Sequence, residues 1–163
     1  MEISTYLRTR LVPFERLLHC PAPSATRKAQ SVHVPGEQVA KSVLLRGGNG
    51  DALAVLPATH RIDLELLAPI LGTTELRLAT EEELSLVFHD CERGALPPFG
   101  RLYGLPTIVD ASLAAWTHIV VEGNVRHEAL RLRFLDFEAV EQPLQARFAT
   151  PICPPRRREQ QVR

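Results

Sequence analysis

Residues 34–45 read Val-Pro-Gly-Glu-Gln-Val-Ala-Lys-Ser-Val-Leu-Leu, and this segment decides how the rest of the chain is organised. Its first half, which opens with a Pro-Gly pair, predicts one helical turn at residues 36–40. Its second half, residues 42–46, is rich in β-branched and aliphatic residues and predicts a strand. Lys41 lies at the junction, where burial of its ammonium group is unfavourable unless an anion pairs with it. Lys41 therefore either reaches out to water or points into a cleft, and the cleft interpretation makes it the best single candidate for a functional residue.

The length and composition predict one soluble globular domain. The chain has 163 residues, of which 45% are hydrophobic and 23% are charged, values that are ordinary for such a domain. We expect the domain to span residues 1–150 and residues 151–163 to form a flexible tail. No apolar run approaches the ~20 residues of a membrane-spanning helix. The first residues lack the basic and then apolar pattern of a secretory signal.

Charge and cysteine content give no support for a highly basic nucleic-acid-binding protein, a disulfide-rich protein or a cysteine-based metal site. The 19 basic and 19 acidic residues balance to a net charge of zero, so composition gives no argument for binding to the phosphates of a nucleic acid. The three cysteines, Cys20, Cys91 and Cys153, lie far apart and predict neither a disulfide framework nor a pair of metal ligands. The histidines show no helical metal-binding spacing. We expect a cytoplasmic, reduced protein without a metal or cofactor.

Hydrophobic patterns predict an irregular alternation of short strands and helices, and therefore a mixed sheet. Strands are predicted at residues 14–20, 42–46, 52–57, 76–78, 107–109, 118–122 and 129–134. Helices or helical turns are predicted at residues 3–10, 24–32, 36–40, 64–71, 80–88, 112–116 and 136–140. Ser24 and Asp63 are each placed to cap a helix, and Thr80 with Glu83 forms the capping box of another.

The segment Gly94-Ala95-Leu96-Pro97-Pro98-Phe99-Gly100 lies in the longest irregular stretch of the sequence, residues 89–104. Gly94 allows a backbone conformation that other residues avoid. The two prolines remove two hydrogen-bond donors and restrict the shape of the loop. Such a loop can present backbone groups to a substrate, as an oxyanion site does. The alternative is an ordinary surface turn, and the motif alone does not decide between them.

Several familiar catalytic arrangements are missing from the sequence. It contains no Gly-x-Ser-x-Gly nucleophile motif and no phosphate-binding P-loop. Cys91 lies between two carboxylates, which raise a thiol pKa and disfavour a nucleophilic role. His127 follows a turn between two strands and could face a cleft or the surface. From the residues alone, the prediction stops at a soluble mixed α/β domain with a cleft at Lys41 and the Gly94 loop.

These two features, in this order and at this separation, resemble the YbaK / prolyl-tRNA-synthetase-associated editing domain family. The similarity extends over residues 14–140 and includes Val-Ala-Lys-Ser-Val-Leu at 39–44, Ala-Val-Leu-Pro at 54–57, Gly-Ala-Leu-Pro-Pro-Phe-Gly at 94–100, Thr-Ile-Val-Asp at 107–110 and Val-Val-Glu-Gly at 120–123. The resemblance implies an α/β (α+β) fold. It further implies a mixed, largely antiparallel central sheet of about seven strands, partly barrel-like and flanked by short helices.

The resemblance also implies a function, the hydrolysis of wrongly charged aminoacyl-tRNA, and a set of site residues. Lys41 matches the lysine that engages the terminal adenosine of the tRNA. Gly94 and Pro98 match the Gly-x-x-x-Pro loop, whose backbone positions the substrate and the attacking water. The implied substrate-binding positions are Ser42, Ala95, Leu96, Pro97, Phe14 at the pocket entrance, and Asn124 or His127.

An aminoacyl ester is already activated, which explains why the sequence lacks a nucleophile: positioning alone can lower the barrier by several kcal/mol. Editing is needed because a pocket discriminates one methylene by only ~1–3 kcal/mol. We expect a trans-acting aminoacyl-tRNA deacylase that accepts small side chains such as those of alanine, cysteine and serine. We expect it to bind the acceptor end of aminoacyl-tRNA. An association with an aminoacyl-tRNA synthetase is a second expectation. Binding of tRNA requires a local basic patch on a chain with no net charge. We expect this patch to be formed by Arg46, Arg61, Arg93 and Arg101.

Two alternatives remain open at this point. One is a non-catalytic relative that binds tRNA or a synthetase without hydrolysis. The other is a hydrolase of a different small ester or amide. The residues do not distinguish these alternatives. They also do not indicate which amino acid and tRNA are edited or what the oligomeric state is.

Overall fold

The structure is a computed structural model, and it describes residues 1–21 and 24–152. Most of the tail expected at residues 151–163, including Cys153, lies outside the described residues. Pro151 is not part of a free tail, because it ends a short strand that pairs with another one. None of the helices in the described ranges is long and apolar enough to cross a membrane.

The described residues form five α-helices and ten strands. The helices are α1 (Ile3–Thr9), α2 (Ala25–Ser31), α3 (Leu64–Ile70), α4 (Glu81–Val87) and α5 (Phe134–Glu141). The strands are β1 (Phe14–Leu18), β2 (Ala40–Gly47), β3 (Gly50–Pro57), β4 (His60–Ile62), β5 (Leu76–Leu78), β6 (Thr107–Asp110), β7 (His118–Glu122), β8 (Glu128–Arg133), β9 (Leu144–Ala146) and β10 (Ala149–Pro151). Short 3₁₀ segments occur at Gly36–Gln38, Gly100–Tyr103 and Ala111–Ala115.

The predicted helix starts are confirmed by their caps. The Ser24 hydroxyl accepts a hydrogen bond from the N–H of Arg27 at the start of α2. The Asp63 carboxylate accepts from two N–H groups at the start of α3. Thr80 and Glu83 form the reciprocal capping box of α4. Each cap satisfies backbone donors that a helix leaves without partners.

The central sheet has five strands in the order β5-β2-β3-β6-β9. Strand β2 pairs antiparallel with β5 and with β3, whereas β6 pairs parallel with β3 and with β9. Residues 52–57 of β3 are all buried, because this strand has a neighbour on each side and a covered surface on each face. The sheet is therefore mixed, as predicted.

Alternate residues of β3 point into two different hydrophobic clusters. Leu53 and Val55 belong to a large core that includes residues of α1, α5, β7 and β8. Ala54 and Leu56 belong to a smaller core with residues such as Leu67 of α3. This alternation follows from the two-residue repeat of a strand, and it makes β3 the centre of the molecule.

Two smaller antiparallel sheets accompany the central one. They have the orders β1-β8-β7 and β10-β4, and an isolated bridge between Val39 and Val120 brings β7 beside the start of β2. The predicted mixed α/β fold class is confirmed, but the strands are divided among three sheets, none of which closes on itself among the described residues. The seven predicted strands are β1, β2, β3, β5, β6, β7 and β8. The three others, β4, β9 and β10, have three residues each and were not predicted.

Glu141, at the end of α5, is buried behind the segment that follows the Gly94 loop. Its Oε1 accepts hydrogen bonds from the Thr107 hydroxyl at 2.5 Å and from the Arg101 N–H at 3.0 Å. The Thr107 hydroxyl oxygen in turn accepts from the Gly100 N–H at 3.2 Å. Burial is the main reason why the pKa of Glu141 is raised to about 7.

We predict that this carboxyl makes the stability of the protein depend on pH. The folded state favours the protonated form, so its contribution is fully present below the ordinary pKa of 4.5 and is lost as the pH rises toward about 7. Glu141→Gln keeps an oxygen acceptor and does not titrate. Between pH 4.5 and 8, the free energy of unfolding of the wild type should fall relative to that of the variant by on the order of 2 kcal/mol.

Urea denaturation at both pH values measures this difference. Glu82→Gln, at an exposed position of α4, is the control and should leave the pH dependence of the wild type unchanged. An equal pH dependence in the wild type and Glu141→Gln would contradict the prediction.

Candidate functional site

One cavity of about 230 Å³ brings together four separate parts of the chain. These are the start of α2, the start of β2, the Gly94 loop and the turn between β7 and β8. Its lining residues are Ser24, Ala25, Lys28, Lys41, Ser42, Arg93, Gly94, Leu96, Glu122 and Arg126. Lys41 and the Gly94 loop, which are about fifty residues apart in the sequence, therefore meet at one site.

The charged residues of this cavity are mainly cationic. Lys28, Lys41, Arg93 and Arg126 line it together with one carboxylate, Glu122. The whole chain contains only two lysines, and both are here. The cavity is thus locally positive although the net charge of the chain is zero, as expected of a site that receives a polyanion.

Lys41 is half-buried at the start of β2, opposite Leu56 of β3. Its ammonium group donates a hydrogen bond to the backbone carbonyl of His60. Burial lowers the pKa of Lys41 below its ordinary value. Ser42 points to the other face of the strand because side chains alternate, and its hydroxyl is buried without a hydrogen-bond partner.

The Gly94 loop is attached to the turn between β7 and β8. The Glu92 N–H donates to the Asn124 carbonyl at 2.8 Å, and the Glu92 carboxylate accepts from the Arg126 N–H at 2.8 Å. The Ala95 N–H donates back to the Glu92 carbonyl at 3.0 Å. Gly94 has a φ of +78°, in the left-handed region that glycine tolerates and other residues avoid.

Within the loop, the side chains and the backbone have different tasks. Ala95, Pro97 and Pro98 are buried and do not line the cavity, so they shape the loop from behind. Among the described residues, no hydrogen bond uses the N–H of Gly94 or Leu96, and both residues line the cavity. The loop thus has two backbone donors that a bound oxygen atom could accept from.

The other end of the loop requires glycine because the chain approaches itself closely there. A Cβ atom at Gly100 would lie 2.5 Å from the Thr107 hydroxyl oxygen and 2.9 Å from the Leu105 carbonyl oxygen. A side chain at this position would displace Thr107, which links the loop to Glu141. The loop is therefore anchored at both ends, by Glu92 and by Gly100.

Besides Ala95 and Pro97, three other predicted substrate-binding residues do not line this cavity. Phe14 is half-buried in β1, opposite Leu132, and lines a different cavity. Asn124 is buried, and its Oδ1 accepts from the N–H of Ile3 at 2.7 Å, which holds α1 in place. His127 is exposed, and its backbone carbonyl accepts from the His19 N–H at 3.0 Å. Of the ten predicted site residues, Lys41, Ser42, Gly94 and Leu96 line the cavity.

Lys28 and Glu122, neither of which was predicted as a site residue, form a buried ion pair in the cavity wall. Their side chains are 4% and 7% exposed, and burial raises the pKa of Glu122 despite the opposing attraction of Lys28. A signal for Lys28 was present in the sequence. It shares one face of α2 with Ala25, Ala29 and Val32, at the spacing of an apolar helix face.

The predicted basic patch is only partly assembled at the cavity. Arg93 lines it, whereas Arg46 forms ion pairs with Asp51 and Glu83, and Arg101 donates to Gln142. Arg61 is exposed on β4 and does not line the cavity. Arg126, which was not predicted, takes the place of the others.

The remaining candidate groups lie elsewhere or are unsuited to nucleophilic chemistry. Burial raises the pKa of the Cys91 thiol above its ordinary value, so this thiol is not activated. Within residues 1–21 and 24–152, no three histidine, cysteine, aspartate or glutamate side chains come together in a group that could hold a metal ion. The polar groups of the residues that line the cavity are cations, one carboxylate, hydroxyls and backbone N–H groups.

Comparisons with known proteins point to one family and one fold. The sequence model of the aminoacyl-tRNA editing domain matches residues 19–140. A structure named provisionally as a trans-editing enzyme for prolyl tRNA synthetase is 24% identical, with a TM-score of 0.80 over 91% of this chain and 94% of its own. A hypothetical protein is 16% identical, with a TM-score of 0.83 over 91% and 99% of the two chains. A scaffold used for grafting linear epitopes is 22% identical, with a TM-score of 0.79 over 92% and 96%. At these identities, the solved structures show the fold alone.

We predict that removing only one charge of the Lys28–Glu122 pair strongly lowers the free energy of unfolding. Lys28→Met leaves a buried carboxylate without a counter-ion and should lower the free energy of unfolding by about 3 kcal/mol. The double variant Lys28→Met/Glu122→Leu removes both charges, so its free energy of unfolding should fall much less. Urea denaturation of Lys28→Met, Glu122→Leu and the double variant measures the coupling free energy between the two side chains. If the losses of the two single variants add up to that of the double variant, the prediction is contradicted.

Proposed function

The chain belongs to the family of aminoacyl-tRNA editing domains, and we propose that it is a trans-acting deacylase of tRNA mischarged with a small amino acid. The observation that carries this proposal is the meeting of Lys41 and the Gly94 loop at one locally positive cavity. At about 230 Å³, the cavity is smaller than the ~300–1,000 Å³ of typical ligand pockets. It suits an aminoacyl group, with the rest of the tRNA outside.

The Gly94 loop is proposed to bind the reacting ester. The N–H groups of Gly94 and Leu96 have no hydrogen-bond partner in the part of the chain that the structure describes. They can donate to the carbonyl oxygen of the ester as negative charge develops on it. Ala95, Pro97 and Pro98 then act by fixing the shape of the loop. The anchors at Glu92 and Gly100 hold these donors in place before the substrate arrives, so that no reorganisation is needed during the reaction.

The reaction itself is the addition of water to the ester carbon. The bond between that carbon and the ribose oxygen breaks, and a proton passes to the ribose oxygen, which leaves a free tRNA end and a free amino acid. The neighbouring ribose hydroxyl of the substrate can orient the water. No protein nucleophile is required, in agreement with the raised pKa of Cys91.

Lys41 is proposed to engage the terminal adenosine of the tRNA. Its half-buried ammonium group is already held by the His60 carbonyl, which limits its freedom, and the residue lines the cavity. Arg93 and Arg126 are exposed at the same cavity and are placed for neighbouring phosphates. Contacts limited to the acceptor end explain how a chain with no net charge can bind tRNA.

The editing neighbour also suggests a partner. That structure is named for prolyl tRNA synthetase, and we propose that this chain likewise acts in the cytoplasm alongside a synthetase, on tRNA that the synthetase has mischarged. The editing unit is proposed to be the single domain of residues 1–150.

The direct test is deacylation of unfractionated tRNA that a ribozyme has charged with one amino acid at a time, from glycine to valine. Wild type should remove at least one small amino acid far above the buffer rate. Lys41→Ala should reduce that rate on the order of 100-fold, because it removes a charge that contacts the substrate. Arg133→Ala, an exposed cation of β8 outside the cavity, is the matched control and should stay near the wild-type rate.

Other outcomes would replace the proposal. If no charged tRNA is hydrolysed above the buffer rate but tRNA still binds, the chain is a binding relative without catalysis. If small free esters react faster than charged tRNA, with no dependence on salt, it is a hydrolase of another class.

Glycine substitution separates the role of the loop from its stability. Gly94 and Gly72 have φ values of +78° and +65°, and neither has an atom within 4 Å of a built Cβ. Gly94→Ala and Gly72→Ala should therefore each destabilise the protein by about 1–2 kcal/mol. Only Gly94→Ala should slow deacylation, by about 100-fold if the loop donors move by ~1 Å.

Thermal unfolding and deacylation rates measure the two effects in parallel. Gly72 follows α3, away from the cavity, so equal loss of activity in both variants would show that the loop has no special part in the reaction.

A further inference from the structure

We propose that the Lys28–Glu122 ion pair makes the cavity selective for aminoacyl groups with a short hydroxyl-bearing side chain, serine or threonine, over alkyl side chains of equal size. This inference rests on the proposed deacylase function and names the substrate class of the same site.

The pair is both buried and part of the cavity wall. Lys28 comes from α2 and Glu122 is the last residue of β7, and their side chains are 4% and 7% exposed. Both residues line the cavity that Lys41 and Gly94 share. A side chain that enters this cavity therefore meets a charged pair that has little other access to water.

Glu122 has one acceptor that the protein leaves open. Its Oε2 accepts from the Lys28 ammonium group. Among the described residues, no hydrogen bond uses its Oε1. A substrate hydroxyl can donate to this oxygen, and hydrogen bonds to a charged acceptor are stronger than those between neutral groups.

Ser42 provides an independent indication of a polar ligand. Its hydroxyl is buried, has no hydrogen-bond partner among the described residues, and belongs to a residue that lines the same cavity. Buried hydroxyls are ordinarily hydrogen-bonded. A serine or threonine hydroxyl can donate to Glu122 while it accepts from Ser42, and a methyl group can do neither.

An alkyl side chain in this position is unfavourable for a definite reason. It would cover the open oxygen of Glu122 without replacing the hydrogen bonds of water, and it would leave the buried Ser42 hydroxyl without a partner. Sites built to bind a substrate hydroxyl reject analogues that lack it more strongly than apolar pockets reject an extra methylene. The discrimination should therefore be greatest between side chains that differ only by hydroxyl and methyl.

Recognition of the α-ammonium group is the competing role for Glu122. The charges of the cavity argue against it, because Lys28, Lys41, Arg93 and Arg126 surround this single carboxylate and would repel a further cation. That role would also be the same for every amino acid, so it predicts no difference between hydroxyl and alkyl side chains.

The test compares two matched pairs of substrates on the same unfractionated tRNA, charged by a ribozyme. Threonine and valine differ by a hydroxyl in place of a methyl, and serine and alanine differ by a single hydroxyl. Wild type should deacylate Thr-tRNA and Ser-tRNA at least about tenfold faster than Val-tRNA and Ala-tRNA. In Lys28→Met/Glu122→Leu, whose folding is checked by circular dichroism, the preference within each pair should disappear or reverse.

The outcomes distinguish the two levels of the proposal. Equal or faster hydrolysis of Val-tRNA and Ala-tRNA by the wild type would overturn the hydroxyl preference and leave the deacylase function standing. A preference that survives in the folded double variant would also overturn it, because the ion pair would then not be its source. If no charged tRNA is hydrolysed above the buffer rate, the deacylase function fails and the inference fails with it.

Discussion

The antiparallel pairing of β2 with β3 is the interaction on which the rest of the structure depends. It runs without interruption from Ala40 opposite Pro57 to Gly47 opposite Gly50. This register places β3 at the centre of two cores. It also places Lys41 and Ser42 on opposite faces at the end of the sheet, where the Gly94 loop and the end of β7 meet. A shift of one residue would exchange these faces, so the cavity exists only in this register.

Local chemistry explains how much of the fold could be predicted from the sequence. Caps such as Ser24 and Thr80, and runs of β-branched residues in strands such as β7, are determined within a few residues, and these elements were predicted correctly. Strands β4, β9 and β10 were missed because they are defined only by distant partners, as when β10 pairs with β4. The division of the strands into three sheets also depends on long-range contacts, which no local pattern contains.

The candidate site was predictable to a similar degree. Lys41 and Gly94 carry unusual local features, and the structure brings them to one cavity. Lys28 could have been noticed on the apolar face of α2, but Glu122 lies 94 residues away, so the sequence carries no signal for the pairing. Asn124 was expected to line the pocket, but its amide bonds to α1 and the Cys91 segment instead. Side-chain direction at such turns is decided by tertiary contacts.

The cavity also resolves the apparent conflict between a neutral chain and an anionic partner. Many arginines are neutralised locally, as Arg46 is by Asp51 and Glu83, whereas the cavity retains an excess of cations around one carboxylate. That carboxylate is paired internally, so it does not cancel the attraction for the tRNA end. Under the proposed function, the same geometry would link binding of the tRNA end to selection of the amino acid.

The most direct measurement is a crystal structure with a non-hydrolysable substrate analogue, an adenosine that carries serine through a 3′ amide in place of the ester. We expect the acyl oxygen to lie about 2.7–3.2 Å from the backbone nitrogen of Gly94 or Leu96, with the adenosine toward Lys41. An analogue that binds outside this cavity, or that does not bind at millimolar concentration, would contradict the proposed site.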